Sequence, residues 1–285
     1  MIPSLLFFAL STLYHVIVCF ATVMVPFAEK QHLYLPVLEK RFLCGYTFRY
    51  VLSCDRRLFM KLFTRNRTPK ELLINALLAS VGLFFFGIGT FLIIRANWGA
   101  SPWDVFNLGL SKAFGILYGN ASIAVSAVLL LTDWLLGESI GFGLILDAVI
   151  VGKTVDLLNW LDPVPYSDNP LISVIMLLAG TLIEVYSMFF YMKAALGCGP
   201  RDTLLVGLKR KMIKIPISAI NILIMATVTL IGYLLGGQVG IGTLFCAFCT
   251  GPILQFAFRT VSFDPTAVTH QSIPETLRVL FRRHS

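Results

Sequence analysis

Seven stretches of about twenty apolar residues follow one another along this chain, each long enough to cross the roughly 30 Å hydrocarbon layer of a bilayer as a helix. They occupy residues 2–26, 73–96, 116–136, 140–161, 171–192, 216–236 and 239–258. Backbone polar groups inside lipid must find partners within the protein, and runs of this length do so as packed helices. Composition agrees: 57% of the chain is hydrophobic and 13% charged, whereas soluble domains carry about a quarter charged residues. The expected fold class is all-α, a polytopic transmembrane helical bundle with the lipid bilayer as its first partner.

The net charge of +8 does not point to nucleic acid, because the basic residues sit beside the apolar runs and not along a soluble face. Ten Lys or Arg lie between 28 and 72, which places that segment in the cytoplasm by the positive-inside rule. Counting onward, the acidic loop 162–170 falls outside, and the basic segment 193–214 and the tail beyond Arg259 fall inside. Only Arg95 and Lys112 break the pattern. For residues 1–72 two readings stand: an extra membrane helix before a basic cytoplasmic segment, or translation beginning at Met60. The tail 259–285 is expected to be cytoplasmic, with a surface helix starting near Ser272 whose Leu277, Leu280 and Phe281 oppose Arg278 and Arg282.

The chain is internally duplicated. A shift of 98 lays Gly82 on Gly180, Arg95 on Lys193, Gly99 on Gly197, Pro102 on Pro200, Asp104 on Asp202 and Gly109 on Gly207. With one inserted residue the match continues at 99, placing Gly141, Gly143, Ala148 and Gly152 on Gly240, Gly242, Ala247 and Gly251. Two membrane repeats follow, 73–161 and 171–258, each with three apolar runs. An odd number of crossings per copy predicts that the second copy is inverted in the membrane. Inverted repeats recur in secondary transporters, where the site lies between the repeats and is built in part by discontinuous helices. A two-fold scaffold without transport is the competing expectation.

Two motif pairs carry the chemistry. The first is Gly99-Ala100-Ser101-Pro102-Trp103-Asp104 and its twin Gly197-Cys198-Gly199-Pro200-Arg201-Asp202. Ser101 or Gly199 suits a helix N-cap, Pro the first turn, and Asp the third position, where a carboxylate complements the helix dipole. The bland expectation is that both acids merely start short helices. The functional one makes Asp104 and Asp202 ligands of a cation or proton, with Arg201 as counter-charge. The second pair, around Gly141 and Gly143 and around Gly240 and Gly242, predicts tight turns and close helix approach. It lacks the context of a phosphate-binding loop. Lys153, which shares a helix face with Asp156, and Glu184 are further candidates as ionisable residues inside apolar runs. Asp147 lies in the same run as Lys153. A structural ion pair is the alternative for all of these residues.

Gly-x-Ser-Pro-Trp-Asp, then Gly-x-Gly-Pro-Arg-Asp 98 residues later, then Leu-Leu-Gly-Gly-x-Val-Gly-Ile-Gly-Thr near the end together resemble the YczE group of the YczE/YyaS/YitT bacterial membrane proteins. The resemblance covers about 73–258 and implies a small polytopic protein of the bacterial inner membrane. No catalytic motif, cofactor site or metal-ligand cluster is recognisable, and the four histidines are scattered outside the duplication. The expected function is movement of a small solute or ion, not enzymatic chemistry. Reporter fusions test the topology: alkaline phosphatase joined near 115 or 165 is expected to be active and after 212 or 265 inactive, whereas activity after 212 would contradict the opposed repeats.

Overall fold

The computed structural model describes residues 68–138, 140–197, 199–260, 263 and 271–280. The apolar stretch 2–26, the basic segment as far as 67, Met60, Ser139 and Cys198 within the motifs, and the tail beyond 280 lie outside the described residues. Among the described residues the chain forms helices α1 (Pro69–Arg95), α2 (Pro102–Phe114), α3 (Tyr118–Leu136), α4 (Phe142–Leu161), α5 (Pro170–Lys193), α6 (Pro200–Lys211), α7 (Ile217–Leu234), α8 (Ile241–Thr260) and α9 (Ile273–Leu280). Five of them, α1, α3, α5, α7 and α8, are long and apolar enough to cross a membrane. Helix α4 has the length of a sixth span and carries Asp147, Lys153 and Asp156.

Local chemistry sets the helix ends. At the start of α1 the Thr68 hydroxyl accepts the Glu71 amide at 3.3 Å while the Glu71 carboxylate accepts the Thr68 amide at 3.1 Å, a reciprocal cap that satisfies two orphan donors. Helices α1 and α5 end alike. Asn97 and its twin Ala195, 98 residues on, both turn left-handed with φ of 58° and 57°. Gly99 and Gly197 follow at φ of 101° and 131°, conformations open to glycine and strained for any residue with a Cβ. Ser101 and Gly199 then share the same backbone angles, φ −63° and ψ 155°, and their prolines start α2 and α6. The duplication seen in the residues is thus repeated in the backbone.

Helices α1 and α5 form the central pair and run antiparallel: a Cβ at Gly82 would meet Phe190, and one at Gly89 would meet the Gly180 carbonyl and Glu184. Small residues allow this approach, which favours van der Waals packing where lipid removes the hydrophobic drive for association. Several other contacts come in twins, α1 with α4 and α5 with α8, α2 with α7 and α6 with α3, whereas α3 packs on α4 far more closely than α7 on α8. Two corners tie the halves together. The Gly242 amide donates to the Trp98 carbonyl at 2.8 Å, and the equivalent Gly143 amide donates to the Leu196 carbonyl, also at 2.8 Å. Thus each half's motif loop sits on the other half's glycine turn.

Large apolar side chains such as Leu77, Val128, Trp134, Leu230 and Phe248 face outward, as lipid-contacting surface does. Arg95, an exception to the charge pattern, is neutralised in place: its guanidinium bonds Asp162 at 2.7 Å and Asn159 at 3.1 Å and lies over the Tyr166 ring. The tail helix α9 begins where expected, with Glu275 capping the Ser272 amide, and is pinned to the bundle by Gln271 to Ala195 and Ile273 to Ile140 backbone bonds. Val279 packs with the cluster of Leu72 and Ala79, leaving Leu277 and Leu280 exposed.

The corners generate a stability test. A side chain at Gly240 would collide with the Trp98 carbonyl, so Gly240→Val is expected to destabilise the purified protein by about 1–3 kcal/mol in thermal or denaturant unfolding. Gly251→Ala, at a position with open space, is expected to leave the transition in place. Equal behaviour of the two variants would remove the corner from the account.

Candidate functional site

A cavity of about 340 Å³ lies at the centre of the bundle and is lined by all eight helices from α1 to α8. Its walls are built from twinned positions: Phe86 and Glu184, Trp103 and Arg201 at an offset of 98, then Ser122 and Asn221, Asp147 and Cys246, Val151 and Thr250 at an offset of 99. The cavity therefore sits where the two repeats meet, and each repeat supplies the same positions with different chemistry.

The short helices aim at it. Ser101 and Pro102 at the start of α2, and Gly199 and Pro200 at the start of α6, all line the cavity, so the positive ends of both helix dipoles converge there. Asp104, only 3% exposed, accepts hydrogen bonds from the Ser101 hydroxyl and from the Tyr118 hydroxyl at 2.8 Å. Instead of capping backbone amides, this carboxylate is held by side chains. The Arg201 guanidinium stands 3.8 Å from the Asp104 carboxylate and 5.3 Å above the Trp103 ring. Trp103 and Arg201 are repeat twins, and they meet face to face where the two halves adjoin. Glu184, 7% exposed, accepts a bond from the buried Thr90 hydroxyl at 2.8 Å. Asp202 and Asp147 complete the charged lining, and Asp202 is exposed to the space it borders.

Three carboxylates, of Asp147, Glu184 and Asp202, thus line the cavity together with the Arg201 guanidinium, and a fourth, of Asp104, stands beside that guanidinium outside the lining. Carboxylates removed from water are costly unless paired or bonded, and a surplus of them inside a membrane protein favours a cation or protons. The Arg201 to Asp104 separation is long for a charge-assisted hydrogen bond, which leaves the guanidinium donors available to another group.

The structure brings four of the five sequence-named charged candidates together: Asp104, Arg201, Asp202 and Glu184. Lys153 stands apart. Its ammonium donates to the Asn120 side chain at 2.7 Å and pairs with Asp156 at 3.4 Å, half exposed. Asp156 also accepts the Gly119 amide at 2.7 Å, so this group fastens α4 to α3. Gly99, Gly197, Gly141, Gly143, Gly240 and Gly242 form the corners and do not line the cavity. Sequence reasoning did not single out Tyr118 or Thr90, and it grouped Asp147 with Lys153. Six residues along a helix turn Asp147 about 120° away from Lys153, which is how one faces the cavity and the other a neighbour.

A profile for a family of unknown function, DUF6198, matches residues 73–259. The chain belongs to that family. The DUF6198 match runs through nearly all of α1 to α8 and includes every residue lining the cavity. The uncharacterized membrane protein YczE of Bacillus subtilis is 28% identical over 190 residues, 66% of this chain and 87% of the relative. An uncharacterized protein of Haemophilus influenzae is 29% identical over 184 residues, 64% and 83% of the two chains. The uncharacterized protein YyaS of Bacillus subtilis is 28% identical over 186 residues, 64% and 90%. No solved structure matches. Family membership and five apolar helices together place this DUF6198 chain in a membrane.

The Asp104 bonds can be measured. In a double-mutant cycle of Tyr118→Phe and Asp104→Asn, followed by unfolding in detergent, a coupling of about 1.5–3 kcal/mol is expected for a hydrogen bond to a charged group. Additive effects would mean that Tyr118 does not hold the carboxylate.

Proposed function

We propose that this protein moves a small solute or ion across a bacterial inner membrane, with the two repeats crossing in opposite directions and the C-terminus in the cytoplasm. The observation that carries this reading is the central cavity, walled by twin positions of both halves and entered by the N-termini of α2 and α6. The antiparallel crossing of α1 and α5 supports the opposed orientation, since these are the first helices of the two repeats. Broken helices whose ends meet at a central site between repeats are the arrangement by which secondary carriers present backbone dipoles and side chains to cargo. The acid surplus favours a positively charged cargo or coupling to protons. Asp104, Asp202, Asp147 and Glu184 are its binding groups, with Arg201 as the internal counter-charge.

Rocking of one repeat against the other at the two glycine corners would open the cavity to each side in turn. Purified protein in liposomes, screened over inorganic cations, amines and neutral solutes with and without a pH gradient, tests this. Flux of at least one cationic solute is expected, and Asp104→Asn or Glu184→Gln is expected to lower it by about tenfold or more, the loss of one charge-assisted contact. Lys153→Gln is expected to leave flux unchanged and to cost only a few tenths of a kcal/mol in stability, as exposed pairs do. Absence of flux for every solute would sink the carrier reading and favour an accessory partner of another membrane complex.

A further inference from the structure

The N-caps of α2 and α6 share one backbone conformation but not one chemistry, and the difference falls on the wall of the cavity. Ser101 stands three residues before Asp104, and its hydroxyl bonds that carboxylate. Gly199 stands three residues before Asp202 and brings no hydroxyl. The second donor is missing as well. Tyr118 bonds Asp104, whereas Pro216 and Ile217 occupy the places 98 and 99 residues on. Asp202 therefore has no hydrogen bond or ion pair to another described residue, and neither has Asp147 of α4, which lines the same cavity.

The place where a side chain would begin at Gly199 is ringed by oxygen. A Cβ there would lie 3.6 Å from Asp202 Oδ2, 3.8 Å from Tyr191 Oη and 3.9 Å from Asp147 Oδ2, and beyond its own chain neighbours these are the three nearest heavy atoms. None of the distances is a clash, and φ of −63° with ψ of 155° suits any L residue, so neither packing nor backbone demands glycine here. What glycine leaves is a space between two carboxylates that repel each other away from water unless a cation stands between them. Farther along the wall, the Ser122 and Ser126 hydroxyls lie one turn apart on α3, 5% and 7% exposed, and line the cavity with no hydrogen-bond partner among the described residues. Buried hydroxyls without protein partners call for a polar occupant.

We propose that the space beside Gly199 seats the primary ammonium group of a small hydrophilic solute. Its N–H groups donate to Asp202 and Asp147, in the place where the Ser101 hydroxyl serves Asp104 in the other half, and its polar remainder extends along the cavity to Ser122 and Ser126. Calcium or magnesium calls for about six oxygen ligands, whereas a primary ammonium carries three donors, and three oxygens ring this space. The cavity, at about 340 Å³, is at the small end of ligand pockets and limits the solute to a few heavy atoms beyond the ammonium. This substrate class rests on the carrier reading for its transport step, but not for its binding step.

The test follows the unfolding transition of the full chain in detergent at constant ionic strength while ethanolamine, choline, ethylene glycol, potassium chloride or magnesium chloride is added. Ethanolamine is expected to raise the transition, as a ligand of the folded state does. Its affinity is expected to exceed by at least about tenfold that of choline, which keeps the charge without N–H donors, and that of ethylene glycol, which lacks the charge. Gly199→Ser puts into the space the hydroxyl that Ser101 carries, and is expected to fold as the native chain does while weakening ethanolamine binding by about tenfold or more. Asp147→Asn keeps the size of the side chain, is expected to weaken binding by a similar factor, and decides the matter if Gly199→Ser does not fold. Absence of any shift with ethanolamine would overturn the proposal, as would unchanged binding in either folded variant. Equal affinity for ethanolamine and choline would reduce the site to an acidic surface and overturn it, and tighter binding of potassium or magnesium would make it a metal site instead. Ethanolamine binding that the variants weaken, without flux of any solute, would overturn transport and keep the site. Cation flux that is the same in the native chain and in Gly199→Ser would keep transport and overturn the site.

Discussion

The structure depends on two places where backbone lies directly on backbone. Gly99 sits against Gly240, and Gly197 sits against Gly141, so closely that a Cβ added at any of the four would meet main-chain atoms of the opposite half. Glycine answers two demands here, the left-handed φ at Gly99 and Gly197 and the absence of a side chain at Gly240 and Gly141. Each contact turns the chain back from the end of a long helix toward the centre, where the next short helix starts. Without both corners α2 and α6 would not begin at a common cavity, and the carboxylates would not share one guanidinium.

Duplication explains the shape of the site and divergence explains its chemistry. Cavity positions recur in pairs, yet Glu184 is matched by Phe86, Asp147 by Cys246, and Arg201 by Trp103. A symmetric acid at every twin would set like charges close together with nothing to balance them, which is costly at low dielectric. Asp104 and Asp202 remain a twinned acid pair, and the other roles are split, one half supplying Arg201 and Glu184 and the other Asp147 and the aromatic platform. Neutral hydroxyls on Tyr118, Ser101 and Thr90 hold the two most buried carboxylates of the site, Asp104 and Glu184. The result is a cavity whose strongest electrostatic groups are already oriented by the fold.

Much of this was legible in the residues. Gly, Pro and Asp repeating at an offset of 98 announced the twin motifs, because each of those residue types has few backbone or electrostatic roles to play. Glu184 was a further candidate as an ionisable side chain within an apolar run, and it lines the cavity. For Lys153 the residues left an ion pair and a transport role both open, because spacing shows that it shares a face with Asp156 but not that the face looks at Asn120 of α3. Tyr118 and Thr90 carried no signal: their partners lie 14 and 94 residues away, and only the packing of α3 and of α1 on α5 brings them into reach. Charge counting likewise marked Arg95 as an exception without showing Asp162 beside it.

The central claim is that the cavity between the halves is a passage and not a sealed core. With the six native cysteines replaced, a single cysteine at Ser126 reports on it directly. Reaction of this cysteine with a membrane-impermeant maleimide should be followed in vesicles of both orientations. The account expects labelling from either face, slowed from both when a cargo cation is present. Labelling from neither face, with the same cysteine reacting after denaturation, would contradict it.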